Sequence, residues 1–508
     1  MLDEEKVEDV LVIGGGVNGT GIARDASGRG LSVILCEKGD LACGTSSAST
    51  KLFHGGLRYL EQYAFGLVRK ALKEREILLA NMPHIAHPMR FLLPLVRGMR
   101  PAWLLRIGLF IYDHLVFNRH LPPTRSVDLR SDIAGKPLKP HLVRAFEYSD
   151  GWVDDARLVV LNAVDAAERG AKILTRTRVV AARRESGLWK IETIDENTGQ
   201  HRHIRARALV NAAGPWVNLV AEGVIGMGVH DPIRLVRGSH IVVARLFDHD
   251  RAYFFQNADG RIIFALPYEE DFTLIGTTDA DHGQSPDLVS CSEAEIAYLC
   301  DAASEYFAAP VLPQNVVWTY AGVRPLDDTG GGSASDASRD YHIRLTDEGD
   351  RAPLVTIYGG KITTFRLLAE QVVAELAPYL ELQGRAWTDH TPLPGGDFAF
   401  GDRTAMVSRL LGEKPFLSPR DARRMLAAYG TRAWQMLGDA KSPGDLGRSF
   451  GAGLTEVEVR WMMTREWART AEDVVWRRSK CGLRLTGNEI LALDAWMKGV
   501  IDENLAGD

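Results

Sequence analysis

Residues 10–37 read VLVIGGGVNGTGIARDASGRGLSVILCE and decide the fold of the N-terminal region. The run Val10–Ile13 is apolar throughout, as is usual for a strand that is buried on both faces. A glycine-rich turn follows, and then a helical stretch over about Asn18–Ser27. A second apolar strand, Ser32–Cys36, closes the pattern. The order strand, turn, helix, strand predicts a βαβ unit with two parallel strands.

The turn contains glycines at three positions, each with its own physical reason. Gly14 allows the tight turn, Gly16 lets the backbone approach a pyrophosphate, and Gly19 lets the helix lie close to the strand. The helix N-terminus offers unpaired N–H groups to the anion. Glu37, at the end of the second strand, stands where an acid would accept ribose hydroxyls and repel a 2′-phosphate. The sequence therefore predicts a dinucleotide site that disfavours NADP.

Bulk properties exclude several classes of protein. The 508 residues suggest two or three domains, and a net charge of −6 argues against nucleic acid as a main partner. Five scattered cysteines show no metal-ligand spacing, which favours a reduced cytosolic setting. The acidic N-terminus is unlike a signal or transit peptide, and no run of eighteen apolar residues occurs.

Residues 99–117, MRPAWLLRIGLFIYDHLVF, are rich in large apolar side chains, and arginines lie within and beside them. This composition suits a helix that lies in a lipid surface. A buried helix with a solvated basic end explains it equally well. The sequence does not decide between the two.

The segment Leu41–Lys51, LACGTSSASTK, is a run of small and hydroxyl-bearing residues that follows the βαβ unit. Such a loop suits a chain that passes a flavin and its phosphates, which favours FAD over NAD. The alternative is a solvated Ser/Thr loop.

Characteristic segments recur along nearly the whole chain. They are GGGVNGTGIARDASGRG, GTSSASTKLFHGGLRYL, FEYSDGWVDDARLV, LVNAAGPWV, RGSHIVV, IGTTD, TYAGVRPL, SRDY, YGGKITTFR, LPGGD and EWARTAEDVVWRRSKCGL. Through these segments the sequence closely resembles the FAD-dependent, respiratory glycerol-3-phosphate dehydrogenases.

The resemblance implies an α/β fold like that of glycine oxidase and D-amino-acid oxidase. A Rossmann-like FAD-binding domain would hold an inserted α+β substrate domain and be followed by a C-terminal helical cap. We expect residues 1–83, 145–225 and 320–385 in the FAD domain, 84–144 and 226–319 in the substrate domain, and 390–508 in the cap. Leu209–Val217 is expected to be a buried strand whose small residues approach the cofactor.

The reaction implied is oxidation of sn-glycerol 3-phosphate to dihydroxyacetone phosphate by hydride transfer from C2 to N5 of FAD. His54 is the first choice for the base that takes the hydroxyl proton, although it could instead only pack near the cofactor loop. Lys361 and Arg324 would stabilise alkoxide character. The residues expected to bind substrate are Arg58, Tyr59, His240, Arg324, Arg339 and Lys361.

Taken with the glycine turn, the resemblance assigns a set of residues to FAD. They are Gly14, Gly16, Asn18, Gly19, Glu37, Thr45, Ser46, Ser47, Lys51, His54, Gly214, Trp216, Gly359, Gly360, Lys361 and Thr363. It also implies a membrane quinone as electron acceptor and peripheral attachment to the cytoplasmic face of the inner membrane. The sequence does not decide whether the C-terminal cap forms a homodimer or gives access to the quinone.

Two other functions are alternatives to a glycerol-3-phosphate dehydrogenase: an oxidase and a regulatory flavoprotein. An FAD oxidase that reduces oxygen usually has an extra insertion, and none is recognisable in the sequence. A regulatory flavoprotein predicts loss of the phosphate-binding cations, yet Arg58, Arg324, Arg339 and Lys361 are all present.

Overall fold

The fold was analysed in a computed structural model that describes residues 6–57, 65–96, 100–116, 121–228, 231–257, 259–327, 340–347, 349 and 352–507, without the side chains of 504–507. Two large sheets and a helical C-terminal region make up this part of the chain.

The first sheet contains the predicted βαβ unit. Its strands are β1 (Val7–Ile13), β2 (Val33–Cys36), β7 (Lys172–Leu174), β8 (Thr177–Glu185), β9 (Leu188–Asp195), β10 (His201–Asn211), β17 (His342–Thr346) and β18 (Leu354–Tyr358). The order is β17-β18-β10-β1-β2-β7, and β9 joins β8 to β10. β1 pairs in parallel with both β2 and β10, so it is a central strand.

Alternate side chains of β1 enter different cores, which explains why Val10–Ile13 is apolar without interruption. Val10 and Val12 pack in the core that also holds the helices α1 (Val17–Gly28), α4 (Asp155–Glu168) and α7 (Phe365–Leu376). Leu11 and Ile13 pack on the other face. A parallel strand covered on both faces must be apolar at every position.

The second sheet is mixed. Its strands are β3 (Leu52–Phe53), β4 (Ala86–Pro94), β5 (Arg125–Asp128), β6 (Arg144–Val153), β11 (Ile233–Ala244), β12 (Ala252–Gln256), β13 (Ile262–Tyr268), β14 (Phe272–Gly276), β15 (Ala280–Asp281) and β16 (Val316–Asp327). Of these, β4 and β12 pair in parallel, whereas the other pairs are antiparallel. The expected domain division puts β3, nearly all of β6 and most of β16 with the cofactor domain, whereas their hydrogen bonds join this second sheet.

Helices complete the fold. They are α1 (Val17–Gly28), α2 (Phe65–Asn81), α3 (Ala102–His114), α4 (Asp155–Glu168), α5 (Val217–Gly223), α6 (Glu293–Ser304), α7 (Phe365–Leu376), α8 (Arg403–Glu413), α9 (Pro419–Tyr429), α10 (Arg432–Leu437), α11 (Glu456–Arg465) and α12 (Gly487–Gly507). The helices α8–α12 share one core with the short hairpin β19 (Ser449–Gly451) and β20 (Leu454–Thr455).

The structure corrects one local expectation and decides between two open alternatives. The strand expected over Leu209–Val217 ends at Asn211, and Gly214–Trp216 forms a 3-10 turn at whose second position Pro215 has no N–H to give to a sheet. The helix within residues 99–117 is not buried: Trp103 is 65% and Phe110 59% exposed, and only Leu109 and Tyr112 of α3 are buried.

All five cysteines lie in the described part of the chain and are free thiols. Among the helices that the structure describes, none is long and apolar enough to cross a bilayer.

Candidate active site

The glycine turn between β1 and α1 has the geometry that the sequence predicts. Gly14 has φ +114°, and a Cβ atom there would lie 2.6 Å from the carbonyl oxygen of Ala212. A Cβ atom on Gly19 would lie 1.9 Å from the carbonyl oxygen of Gly14. The N-cap residue Gly16 offers no capping side chain, and the first turn of α1 has no acidic residue. This helix N-terminus therefore carries no carboxylate of its own in its first turn, which suits an anion.

Glu37 lies beside this turn with its carboxylate held by the backbone. Oε2 accepts from the N–H of Gly15 at 2.6 Å, and Oε1 accepts from the N–H of Gly39 at 2.8 Å. Burial raises the pKa of Glu37, and the two N–H groups oppose that shift. The carboxylate thus has a fixed orientation at the place predicted for the ribose hydroxyls.

The hydroxyl-rich loop connects the helix N-terminus to the second sheet. Ser46 Oγ accepts from the N–H of Val17 at 3.0 Å, and Thr45 Oγ1 donates to the carbonyl oxygen of Val323 on β16 at 2.5 Å. Hydrogen bonds therefore hold the loop against both α1 and β16, and the loop lines the site. This agrees with a loop that passes a flavin better than with a solvated Ser/Thr loop.

A cavity of about 450 Å³ runs from the glycine turn to the second sheet. Its volume lies within the range that is usual for ligand sites. Of the residues predicted for cofactor and substrate, the following line it: Gly14, Gly16, Asn18, Glu37, Thr45, Ser46, His54, Gly214, Trp216, His240, Arg324, Gly359, Gly360, Lys361 and Thr363.

Asn18 connects the glycine turn to the GGKITT segment. Its Nδ2 donates to the carbonyl oxygen of Gly359 at 3.3 Å, and its buried Oδ1 has no hydrogen-bond partner among the described residues. Gly359 and Gly360 have φ +72° and +107°, which only glycine adopts without strain. A buried acceptor without a hydrogen-bond partner among the described residues, on a side chain that lines the cavity, is an observation that fits a bound, hydrogen-bonding cofactor.

Three predicted cofactor residues lie outside the cavity wall. Gly19 acts through helix packing, and Ser47 contributes its carbonyl oxygen to Lys51 Nζ at 3.2 Å. Lys51 is fully buried and binds Asp155 Oδ1 at 2.7 Å, so its ammonium faces Asp155 and not the cavity. A direct role of Lys51 at the cofactor is therefore not supported by this geometry.

Arg324 is the best-defined cation of the cavity. Its Nη2 donates to the carbonyl oxygen of Thr278 at 3.2 Å and to Asp279 Oδ1 at 2.8 Å. A Cβ atom on Gly238 would lie 2.5 Å from the same nitrogen, so the RGSH glycine makes room for the guanidinium. The predicted residues Arg58, Tyr59 and Arg339 lie outside the described residues.

His240 is buried against the same wall. Its Nε2 lies 2.9 Å from Thr50 Oγ1, and its ring stacks on Tyr320 at 4.7 Å between centroids. Burial, with Lys51 and Arg324 nearby, holds the pKa of His240 well below its ordinary value. The imidazole is therefore neutral near pH 7, and its Nδ1 has no hydrogen-bond partner among the described residues.

Sequence reasoning did not single out Tyr320, Thr50 or Asp279. The signal was present, because Tyr320 stands four residues before Arg324 in TYAGVRPL and Asp279 ends IGTTD. Only the pairing of β16 with β11, which sets Tyr320 opposite His240, shows that these residues belong to one site.

Comparison with known proteins agrees with this geometry. Residues 9–344 match the family described as FAD dependent oxidoreductase, and residues 386–498 match the C-terminal domain of alpha-glycerophosphate oxidase. The chain belongs to the FAD-dependent oxidoreductases, and FAD is its cofactor.

Within that family the chain belongs to the group that contains the glycerol-3-phosphate dehydrogenases. It is 47% identical to the aerobic glycerol-3-phosphate dehydrogenase of Escherichia coli, over 99% of both chains. It is 49% identical to the D-erythritol 1-phosphate dehydrogenase of Brucella abortus, over 97% of this chain and 98% of that one.

A solved structure confirms the expected fold class. The glycerol-3-phosphate dehydrogenase from Bacillus halodurans complexed with FAD superposes with a TM-score of 0.75, at 28% identity, over 94% of this chain and 87% of that one. The expected fold class, a Rossmann-like domain with an inserted α+β region and a helical cap, is therefore confirmed. The residue boundaries between them remain predictions.

Proposed function

We propose that the protein oxidises sn-glycerol 3-phosphate to dihydroxyacetone phosphate and passes the electrons to a membrane quinone. The observation that supports this most directly is the cavity wall. One cavity joins the glycine turn and Glu37 to the cations Arg324 and Lys361. Arginine and lysine are the side chains that bind a phosphate dianion, so the cavity suits a dinucleotide together with a small phosphorylated substrate.

The reaction removes one hydride and one proton from the substrate. When bound, FAD supplies the acceptor for the hydride that leaves C2. The proton of the C2 hydroxyl must leave as the carbonyl forms, and we assign it to His54, which lines the cavity and is half-buried. Arg324 and Lys361 hold the phosphate and stabilise negative charge on the C2 oxygen.

His240 takes a different part in this proposal. Because its imidazole is buried and neutral, it does not add a third positive charge beside Arg324. We assign it to hydrogen bonding of the substrate through Nδ1, the ring nitrogen that has no hydrogen-bond partner among the described residues. The proton acceptor and the orienting imidazole are then two different histidines.

D-erythritol 1-phosphate is a second candidate substrate. The 49% identity to the D-erythritol 1-phosphate dehydrogenase of Brucella abortus favours it. It presents the same phosphate and a secondary alcohol on a four-carbon chain. The same residues would bind and oxidise it, so only a comparison of the two substrates separates the candidates.

The test is anaerobic mixing of the purified protein with each polyol phosphate while flavin absorbance is followed. We expect bleaching by glycerol 3-phosphate, and the ratio of kcat/KM for the two substrates ranks them. Glycerol and an amino acid serve as controls that lack the phosphate. A flavin that none of the phosphorylated alcohols bleaches would refute the proposal.

The electron acceptor is tested separately. We propose a quinone, so turnover in air should release little peroxide and should accelerate when a soluble quinone is added. Stoichiometric peroxide would instead identify an oxidase.

Membrane attachment is proposed through α3. Its exposed face carries Trp103, Leu104, Ile107 and Phe110, and Arg106 lies among them. Aromatic and aliphatic side chains beside arginine suit the interface of an anionic bilayer. Replacing Trp103, Leu104 and Phe110 by serine should release the enzyme from membranes and spare dye-linked activity.

A matched control replaces the exposed Leu288 and Leu491, which lie far from α3 in the sequence, by serine. That variant should stay with the membrane fraction. If the α3 variant also sediments with membranes, α3 is not the anchor.

A further inference from the structure

The C-terminal segment EWARTAEDVVWRRSKCGL has no role in the site described above, yet most of its residues are buried or half-buried. Its middle, Asp473–Arg478, forms a π-helical turn, which we call the π-turn. Turns of this type are rare and are often found at functional sites. The π-turn contacts the segment that leads into the hydroxyl-rich loop and also strand β16. Both the loop and β16 contribute residues to the cavity wall.

The first contact is with the chain that follows Glu37. Arg477 Nε lies 2.6 Å from Asp40 Oδ2, and both terminal nitrogens of Arg478 lie 2.8 Å from the same carboxylate. Asp40 and Arg478 are buried. Two arginines on one buried carboxylate fix the start of the hydroxyl-rich loop against the C-terminal region.

The second contact is with β16. The indole of Trp476 stacks on the indole of Trp318 with 4.4 Å between centroids and 9° between planes. A Cβ atom on Gly482 would lie 2.6 Å from the Trp476 ring, so only a residue without a side chain leaves room for the indole. Trp318 in turn lies 5.0 Å from Tyr320.

β16 transmits this contact to the cavity. Successive residues of a strand point to opposite faces, so Trp318, Tyr320, Gly322 and Arg324 share one face. Along this face Trp318 meets the π-turn, Tyr320 stacks on His240 and donates to the carbonyl oxygen of Ser49 at 2.8 Å, and Arg324 lines the cavity.

We propose that Trp476 is a positioning residue for the substrate site. Through Trp318 it sets where β16 lies relative to the loop that Asp40 anchors, and so where Arg324 and His240 stand. Trp476 and Trp318 are not among the residues that line the cavity, so their effect is indirect. The role assigned to Arg324 and His240 rests on the proposed function.

The test compares Trp476→Leu with Trp476→Phe and with a matched control, Trp496→Leu. Trp496 packs against the same C-terminal core. Its ring lies 5.0 Å from that of Phe450 and beneath the guanidinium of Arg460, and neither partner belongs to β16. Leucine removes the stack, whereas phenylalanine keeps an aromatic face.

We expect Trp476→Leu to lower kcat/KM about tenfold, because small displacements of groups that hold a substrate have large kinetic effects. Most of the loss should appear in KM, because Arg324 contacts the phosphate in the ground state as well. Trp476→Phe should recover most of it. Trp496→Leu should lower Tm about as much as Trp476→Leu does, but it should leave the kinetic constants unchanged.

A substrate-free measurement keeps this inference separate from the proposed function. Visible circular dichroism of the bound flavin should change in Trp476→Leu and not in Trp496→Leu. If no polyol phosphate reduces the wild-type flavin, the proposed function fails, and the dichroism still decides the positioning role.

Trp318→Leu provides a second route if Trp476→Leu does not fold. It should reproduce the KM increase, and the double variant should be no worse than either single variant. Additive losses, equal kinetic losses in Trp476→Leu and Trp496→Leu, or unchanged dichroism in Trp476→Leu would overturn the proposal.

Discussion

Replacing Gly14 by alanine should weaken FAD binding by an amount that the geometry sets. The φ of +114° costs a residue with a side chain about 1–3 kcal/mol. The new Cβ atom would also overlap the carbonyl oxygen of Ala212 at 2.6 Å. The turn cannot move freely, because Gly14 donates to Cys36 at 2.8 Å and Ala212 donates to Ile13 at 2.9 Å, each bond worth about 1 kcal/mol.

Relief of the overlap by loss of one such bond gives a total of about 2–4 kcal/mol. In the apoprotein the turn relaxes to avoid this cost, and FAD has to restore it on binding, so the Kd of FAD should increase by up to about 30- to 1,000-fold. The assay is titration of apoprotein with FAD, followed by flavin fluorescence. The control is Gly108→Ala in α3, where an added Cβ meets nothing within 4 Å and alanine favours the helix. A Gly14→Ala protein that binds FAD within threefold of wild type would falsify this account of the turn.

Three further predictions follow from the ion pairs and the buried histidines. Arg324→Lys keeps the charge but loses the guanidinium fork, so KM for the phosphate substrate should rise about tenfold or more, and an unchanged KM would contradict its role. Glu466→Gln leaves Arg157 buried without its anion and should cost about 3–5 kcal/mol, seen as a Tm several degrees lower, whereas Glu413→Gln at an exposed pair should change nothing measurable. Burial, with Arg157 and Arg403 nearby, lowers the pKa of His84 to about 3. Its neutral form therefore stabilises the fold above pH 6.5, and that contribution is lost as the pH falls, by about 2 kcal/mol at pH 5. In His84→Leu the free energy of unfolding, measured by urea denaturation, should fall between pH 7 and pH 5 by about 2 kcal/mol less than in wild type. An equal fall in both proteins would contradict this role of His84.

The local part of the fold was readable from the sequence because its signals are local. The strand predicted over Val10–Ile13 is the C-terminal half of β1, and the helix predicted over Asn18–Ser27 is α1 shortened by one residue at each end. Glycine spacing and apolar runs act over a few residues, so no distant partner was needed to interpret them.

Long-range pairing set the limit of sequence reasoning. Nothing within β16 indicates that it pairs with β11, because the pairing joins segments about eighty residues apart. The burial of Lys51 was missed for the same reason, since its partner Asp155 is 104 residues away. A lysine in a polar loop is usually exposed, and only the folded chain shows the carboxylate that accompanies it.

The order of strands in the first sheet has a consequence for how the protein is made. Leu209–Asn211 of β10 pair with Leu354–Thr356 of β18, so that edge of β10 stays open until the ribosome has passed residue 356. The 145 residues from Asn211 to Thr356 take roughly 7 to 30 s at about 5–20 residues per second, and during this time an apolar strand edge is available to other nascent chains. Slower initiation or a lower growth temperature should therefore raise the soluble yield more than a stabilising mutation of the finished fold would. A split of the gene into two coexpressed pieces belongs after β18, in the stretch 381–386, which has no helix or strand and where both halves of that pairing are already on the same polypeptide.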